Sequence, residues 1–295
     1  MSDTFFTTSP HWGWYIVLYF FVGGIAGGAM FLASCLRLFG RAVDRPVMHL
    51  GHYLAVAGAA FSGLLLTVDL SRPERFWRML TAFKAGSPMS VGAWVVMLFS
   101  LVASLAALAS LTEEKRVSWR FAAVLGGRTI GSIVAVVGGL LGLFLAGYTG
   151  VLLAVTNRPL WADSTWLGVL FLFSGLSTAA AALVFLGRRR GAATESVAWL
   201  LRFDRRVILL EAVALVAFLG SLGSLARVFV GGWGLLLLGT IALAIVAPLW
   251  LEARRRRNHA FAAPLLVLAG GLLLRVVVIF SSSGIEPIGT GVAGR

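Results

Sequence analysis

Six side chains stand out because their chemistry is at odds with the apolar stretches around them. Asp69, Glu211 and Arg275 are ionisable, and Tyr19 and Tyr148 carry phenolic hydroxyls. Glu74 follows Asp69 in the run Asp69-Leu70-Ser71-Arg72-Pro73-Glu74-Arg75. An ionisable group inside a bilayer is costly and marks a functional site by default. Hydroxyls and carboxylates together suit one kind of work, in which a hydroxyl holds a carbonyl by donating to it and a carboxylate moves protons to and from water. Structural duties stand beside this reading. Tyr19 and Tyr148 also suit an interfacial aromatic belt, and Asp69 also suits a helix end or a pair with Arg72. Glu211 can pair with Arg205 or Arg206, and Arg275 with a carboxylate or with backbone carbonyls.

Other chemistries are ruled out by what the chain lacks. Cys35 is the only cysteine, so no disulfide, zinc site or iron–sulfur cluster can be built within this chain. Of the four histidines, His49 and His52 fall together near one helix end and read as a polar helix start, while His11 and His259 lie outside the apolar runs. Two axial ligands on facing helices at one depth, as a bis-histidine haem needs, are not offered. No phosphate-cradling loop or nucleophile elbow occurs. No lysine lies in an apolar run, which excludes a retinal Schiff base.

The elements that position these residues are set by the solvent. Of 295 residues, 59% are hydrophobic and 13% charged, with a mean hydropathy of +0.92. Soluble domains carry about 25% charged residues, so these residues cannot cover a globule with polar surface. The sequence reads as an all-α integral membrane protein. A bilayer core of about 30 Å takes roughly 20 residues of helix. Eight stretches qualify: Trp14–Leu36, Leu50–Leu70, Met89–Leu111, Ile130–Val155, Thr165–Leu186, Val207–Leu225, Val230–Leu251 and Phe261–Phe280. They are apolar on all faces, unlike the alternating strands of a barrel, and a helix satisfies its own backbone groups in hydrocarbon. The expected arrangement is a single membrane domain of two packed four-helix bundles, about 14–155 and about 165–280.

Lysine and arginine set the orientation. The odd-numbered loops hold 17 of the 25 cationic residues, which makes them cytoplasmic and places both termini outside. The net charge of +13 is mostly this topology signal, and without a polar basic domain nucleic acid is not a partner. The N-terminus lacks a basic n-region and its first apolar run is of full span length, so it is not expected to be a cleaved signal peptide. In this frame Tyr19 and Tyr148 share a depth of roughly 8–10 Å below the outer surface, and Arg275 lies roughly 21 Å in from the cytoplasmic side. Tyr19, Tyr148, Asp69 and Arg275 can therefore line one outward-opening pocket, with Glu211 apart near the cytoplasmic end. Two overlapping GxxxG spacings in Gly23-Gly24-Ile25-Ala26-Gly27-Gly28, and another in Gly138-Gly139-Leu140-Leu141-Gly142, point to close helix packing.

These residues carry a resemblance. Trp12-Gly13-Trp14-Tyr15-Ile16-Val17-Leu18-Tyr19-Phe20 with the glycine run after it resembles the first span of the NrfD-like family, the polysulfide-reductase membrane subunits. The element Asp69-Leu70-Ser71-Arg72-Pro73-Glu74-Arg75-Phe76-Trp77 is the most specific match. Ser87-Pro88-Met89-Ser90, Gly147-Tyr148-Thr149-Gly150-Val151-Leu152-Leu153, Thr156-Asn157-Arg158-Pro159-Leu160-Trp161 and Gly270-Gly271-Leu272-Leu273-Leu274-Arg275 agree with it. The resemblance extends over nearly the whole sequence.

It implies a haem-free, eight-helix, multi-pass subunit of the bacterial inner membrane that binds a quinone, menaquinone or ubiquinone, near the outer surface. It also implies a 4Fe–4S ferredoxin-like partner and a molybdopterin catalytic subunit. Tyr148 matches the family tyrosine that contacts the quinone headgroup, and Tyr19 falls where some members carry a histidine. The expected roles are Tyr19, Tyr148 and Arg275 at the headgroup, Asp69 and Glu74 as a proton relay to outside water, and Glu211 as a weaker candidate for a cytoplasmic path. The rival classes are a haem-free solute or ion transporter, against which the lack of an internal repeat argues, and a purely structural anchor.

Overall fold

The computed structural model describes residues 13–69, 81, 83–117, 119, 124–156, 158, 160–253 and 261–282, without the side chains of residues 69 and 253. Among the described residues the fold is all helix. Its helices are α1 (Trp14–Phe39), α2 (Arg45–Asp69), α3 (Pro88–Glu113), α4 (Arg128–Ala154), α5 (Trp166–Arg189), α6 (Thr194–Ser221), α7 (Gly232–Glu252) and α8 (Ala262–Ser281). Seven are long and apolar enough to cross a membrane, and α6 with the bent turn that follows it makes an eighth.

Most boundaries fall within a few residues of the expected ones, with one large exception. α6 begins at Thr194 rather than near Val207. Its first half carries Arg202, Asp204, Arg205 and Arg206, which hydropathy reads as loop. The helix stops at a 113° bend into a 3₁₀ turn, Gly223–Phe229, where Gly223 takes φ +54°.

α1 is the hub. It packs on α2, α4 and α5 and touches α8, while α3 lies against α2 and α4. The glycine spacings are the seams of this packing. A Cβ on Gly27 would run into the backbone of α4 at Gly142 and lie 3.1 Å from the Ala146 nitrogen. On the opposite seam, a Cβ on Gly28 would lie 2.6 Å from the Ala179 Cβ of α5. In lipid no hydrophobic force pulls helices together, so this close van der Waals approach holds the hub. α7 carries a π-helical stretch at Ala242–Val246, and Gly270 of α8 is pressed against Ala244 in it, with no space for a side chain.

Polar contacts fix the helix ends. The Ser87 hydroxyl caps α3 by accepting from the Ser90 N–H, and Pro88 occupies the first turn, where a missing N–H costs nothing. Asp44, between α1 and α2, accepts from the Arg41 N–H at 2.8 Å and from the Ser196 hydroxyl at 2.5 Å, tying that connector to α6.

Candidate functional site

Two polar sites lie on either side of α1. Tyr19 on α1 and Tyr148 on α4 are both buried, 3% and 6% exposed, and are electrostatic neighbours. Each ring is held by an aromatic of its own helix. Tyr19 tilts against Phe20 at 5.4 Å, and Tyr148 stacks on Phe144 at 5.4 Å. The Tyr148 hydroxyl reaches the start of α3, where it donates to the Pro88 carbonyl at 2.5 Å. It lies against Gly92, where any Cβ would occupy the space of that hydroxyl. Ser62 of α2 flanks the same glycine as Tyr19: a Cβ on Gly23 would be 3.7 Å from the Ser62 hydroxyl and 3.9 Å from the Tyr19 ring.

Unpaired donors collect here. The Ser62 hydroxyl is buried without a hydrogen-bond partner among the described residues. The same holds for Nε and Nη2 of Arg275. Buried polar groups are nearly always bonded, so such a set is a place that accepts a ligand carbonyl or water.

Arg275 itself is fully buried on α8. Its Nη1 donates to the Ser174 hydroxyl at 2.8 Å and to the Gly271 carbonyl at 2.7 Å. The guanidinium lies between the Phe21 and Phe171 rings, 5.7 and 5.3 Å from their centroids. Its Nη2 would sit 3.1 Å from a Cβ on Gly24, so it lies against α1 five residues along from Tyr19. Glu211, expected apart from the others, is buried and faces Arg275 electrostatically. Among the described residues no ion pair joins Glu211 to Arg205 or Arg206, and Arg205 pairs with Glu252 at 3.3 Å. The shift has a simple cause: α6 starts two helical turns and more before Val207, so Glu211 lies deep in the helix and meets α5 and α8.

Asp69 closes α2, but its side chain and all of Glu74 lie outside the described residues. The structure thus brings together Tyr19 with Tyr148, and Arg275 with Glu211, on a shared stretch of α1.

Two groupings escape a reading of the sequence. Asp204 is 3% exposed and accepts from the Ser177 hydroxyl at 2.7 Å. His49 and His52 are more than a polar helix start. His49 bridges Glu113 at 3.0 Å and Glu114 at 3.1 Å, His52 bonds Ser110 at 2.8 Å, and Arg37 pairs with Glu113. The available signal for Asp204 was Ser174 and Ser177, one helical turn apart in a run of small residues; for the histidines it was the adjacent Glu113-Glu114.

Comparison with known proteins follows the same outline. The family described as "Polysulphide reductase, NrfD" matches residues 3–285. The sequence is 29% identical to Protein NrfD of Escherichia coli, an alignment that takes in 95% of this protein and 97% of that one. It is 27% identical to a polysulfide reductase component of Wolinella succinogenes, over 92% of this protein and 93% of that one. A stretch of 30% of the sequence is 30% identical to a putative dimethyl sulfoxide reductase membrane subunit of Halobacterium salinarum, of which it covers 20%.

Proposed function

Because the chain belongs to the polysulphide reductase NrfD family, we propose that it is the quinone-binding membrane subunit of a respiratory reductase complex. The observation that carries this reading is the buried Tyr19–Tyr148 pair with unpaired donors beside it. A quinone headgroup presents two carbonyls, and a cluster of hydroxyl donors in an apolar surround suits them. The donor set therefore fits the group. When bound, a quinone supplies two-electron chemistry coupled to two protons.

The protein's own residues do the rest. Tyr19, buried on α1, donates to one carbonyl. Tyr148 releases the Pro88 carbonyl to donate in turn. Arg275, held by Ser174 and Gly271 on the other side of α1, keeps Nη2 and Nε unpaired among the described residues. Asp69 and Glu74 pass protons to outside water. The names of the relatives, a polysulfide reductase component and a reductase membrane subunit, support an assembly with catalytic partners. A 4Fe–4S ferredoxin-like protein on the outer face exchanges electrons with the quinone site, since one cysteine cannot hold a cluster. With a molybdopterin subunit, the complex in the bacterial inner membrane is whole.

The test is Tyr148→Phe in the assembled complex. Quinol-linked turnover is expected to fall about tenfold, the value of one lost hydrogen bond to the reacting headgroup, while co-purification of the partners persists. Unchanged turnover removes Tyr148 from the site and with it the main support for the reading.

A further inference from the structure

A cavity of about 760 Å³ opens at the arginine-rich end of the molecule, between the last turn of α1, the connector that follows it and the first half of α6. It shares no residue with the tyrosine and arginine sites at the other end of α1. Its wall is graded in polarity. Cys35 and Phe203 line the deep end, where Phe203 stacks on Trp199 with centroids 5.9 Å apart and meets Phe31 of α1 at 6.5 Å. Arg41 and Thr194 line the shallow end. Thr194 and Phe203 are separated by about 13 Å of helix axis. A headgroup layer of about 5–8 Å is crossed within that distance, so the cavity reaches from the membrane surface into hydrocarbon.

The acidic groups of the cavity are already engaged. Asp44 is buried and accepts from the Arg41 N–H and the Ser196 hydroxyl. Glu195 pairs with the Arg41 guanidinium at 2.6 Å across the rim. Arg202 lines the same cavity, is exposed and forms no ion pair among the described residues. One cation is therefore left over. The start of α6 adds to it, since no side chain caps that helix and its first turn stands at the rim. A soluble anion would have no use for the apolar wall below, and an apolar partner helix would leave Arg202 desolvated and unpaired. An anionic head on an apolar tail answers both ends of the cavity.

We propose that this cavity binds one anionic phospholipid of the leaflet on the arginine-rich side. Its phosphate sits against Arg202, and an acyl chain runs down past Trp199 and Phe203 toward Cys35. Basic pockets between membrane helices take anionic headgroups in this way. The lipid fills the gap between α1 and α6 that the Arg41–Glu195 and Asp44–Ser196 contacts bridge at the surface, and so joins the two halves of the membrane domain there. The site is independent of the function proposed for the tyrosine pocket.

Cys35 lines the cavity and is the only cysteine of the sequence, so its thiol reports occupancy without any substitution. The full-length protein is stripped of lipid in mild detergent and mixed with micelles containing dioleoylphosphatidylglycerol or dioleoylphosphatidylcholine. Alkylation of Cys35 by N-ethylmaleimide is followed by intact mass spectrometry. Phosphatidylglycerol is expected to slow it about tenfold at about ten times its dissociation constant. Phosphatidylcholine and inorganic phosphate are expected to leave the rate unchanged. Arg202→Gln should abolish the protection, whereas Arg202→Lys, which keeps the charge, and Arg190→Gln, at an exposed arginine outside the cavity, should retain it. An unprotected Cys35 at every phosphatidylglycerol concentration overturns the site. Equal protection by phosphatidylcholine makes it a plain apolar cleft, and protection by inorganic phosphate alone makes it a simple anion site; either result overturns the proposal. So does equal loss of protection in Arg190→Gln and Arg202→Gln, which would mean a diffuse surface charge. Protection that rises with protein concentration in lipid-free micelles would assign the cavity to a second copy and overturn the lipid.

Discussion

Replacing Arg275 by Met tests the most deeply buried polar contact in the molecule. The guanidinium is 0% exposed and gives two charge-assisted hydrogen bonds, at 2.8 and 2.7 Å. Such bonds contribute about 1.5–3 kcal/mol each. Met fills a similar volume between Phe21 and Phe171 but makes neither bond, so the loss falls at about 3–6 kcal/mol, the sum of the two. Glu211→Gln leaves the cation its carbonyl, its serine and two ring faces; a loss of about 1–3 kcal/mol follows. The double variant removes both charges together. Its loss is expected to fall short of the sum by about 1–3 kcal/mol, the coupling of residues in one network. Denaturant unfolding in mild detergent, followed by tryptophan fluorescence, measures all three. Losses that add within about 0.5 kcal/mol would refute the coupling. A silent Arg275→Met would refute the premise that this guanidinium organises α1, α5 and α8.

Other changes have equally definite outcomes. Gly92→Ala places a methyl group where the Tyr148 hydroxyl lies; quinol-linked turnover should fall as it does for Tyr148→Phe, with assembly retained, and normal turnover would show that the position of that hydroxyl is immaterial. Gly27→Val forces α1 away from the α4 backbone at Gly142 and Ala146, for a loss of about 1–3 kcal/mol read as a lower Tm in detergent. Gly63→Ala, at a helical position with nothing within 4 Å, should have the opposite sign and raise stability by about 0.5–1 kcal/mol. Glu113→Gln takes the carboxylate from both Arg37 and His49 and should cost about 1–3 kcal/mol in the same unfolding assay.

The span limits were legible because hydrocarbon imposes them residue by residue. A carbonyl or amide in lipid must be bonded within its own helix, so the apolar run and the helix have nearly the same ends. α1, α4, α5 and α8 follow that rule closely. α6 does not, since its first half is polar and is helical through contacts with α5 that hydropathy cannot register. Asp204 was hidden for the same reason: within Arg202-Phe203-Asp204-Arg205-Arg206 it looks like one charge of a solvated loop. The likeness in depth of Tyr19 and Tyr148 was legible, because depth is a count along a helix of fixed rise.

What the sequence alone determined is therefore the solvent, the spans and the inventory of groups that can do chemistry. Each follows from composition or from distance along one helix. Which of those groups meet was decided by tertiary structure, because rotation of each helix about its axis depends on packing between distant segments. Ser174 lies 101 residues from Arg275, Pro88 lies 60 from Tyr148, and Ser177 lies 27 from Asp204. The glycines of α1 settle those rotations by letting α4 approach at Gly27 and α5 at Gly24 and Gly28, and Arg275 reaches Gly24, beside the helix turn that carries Tyr19.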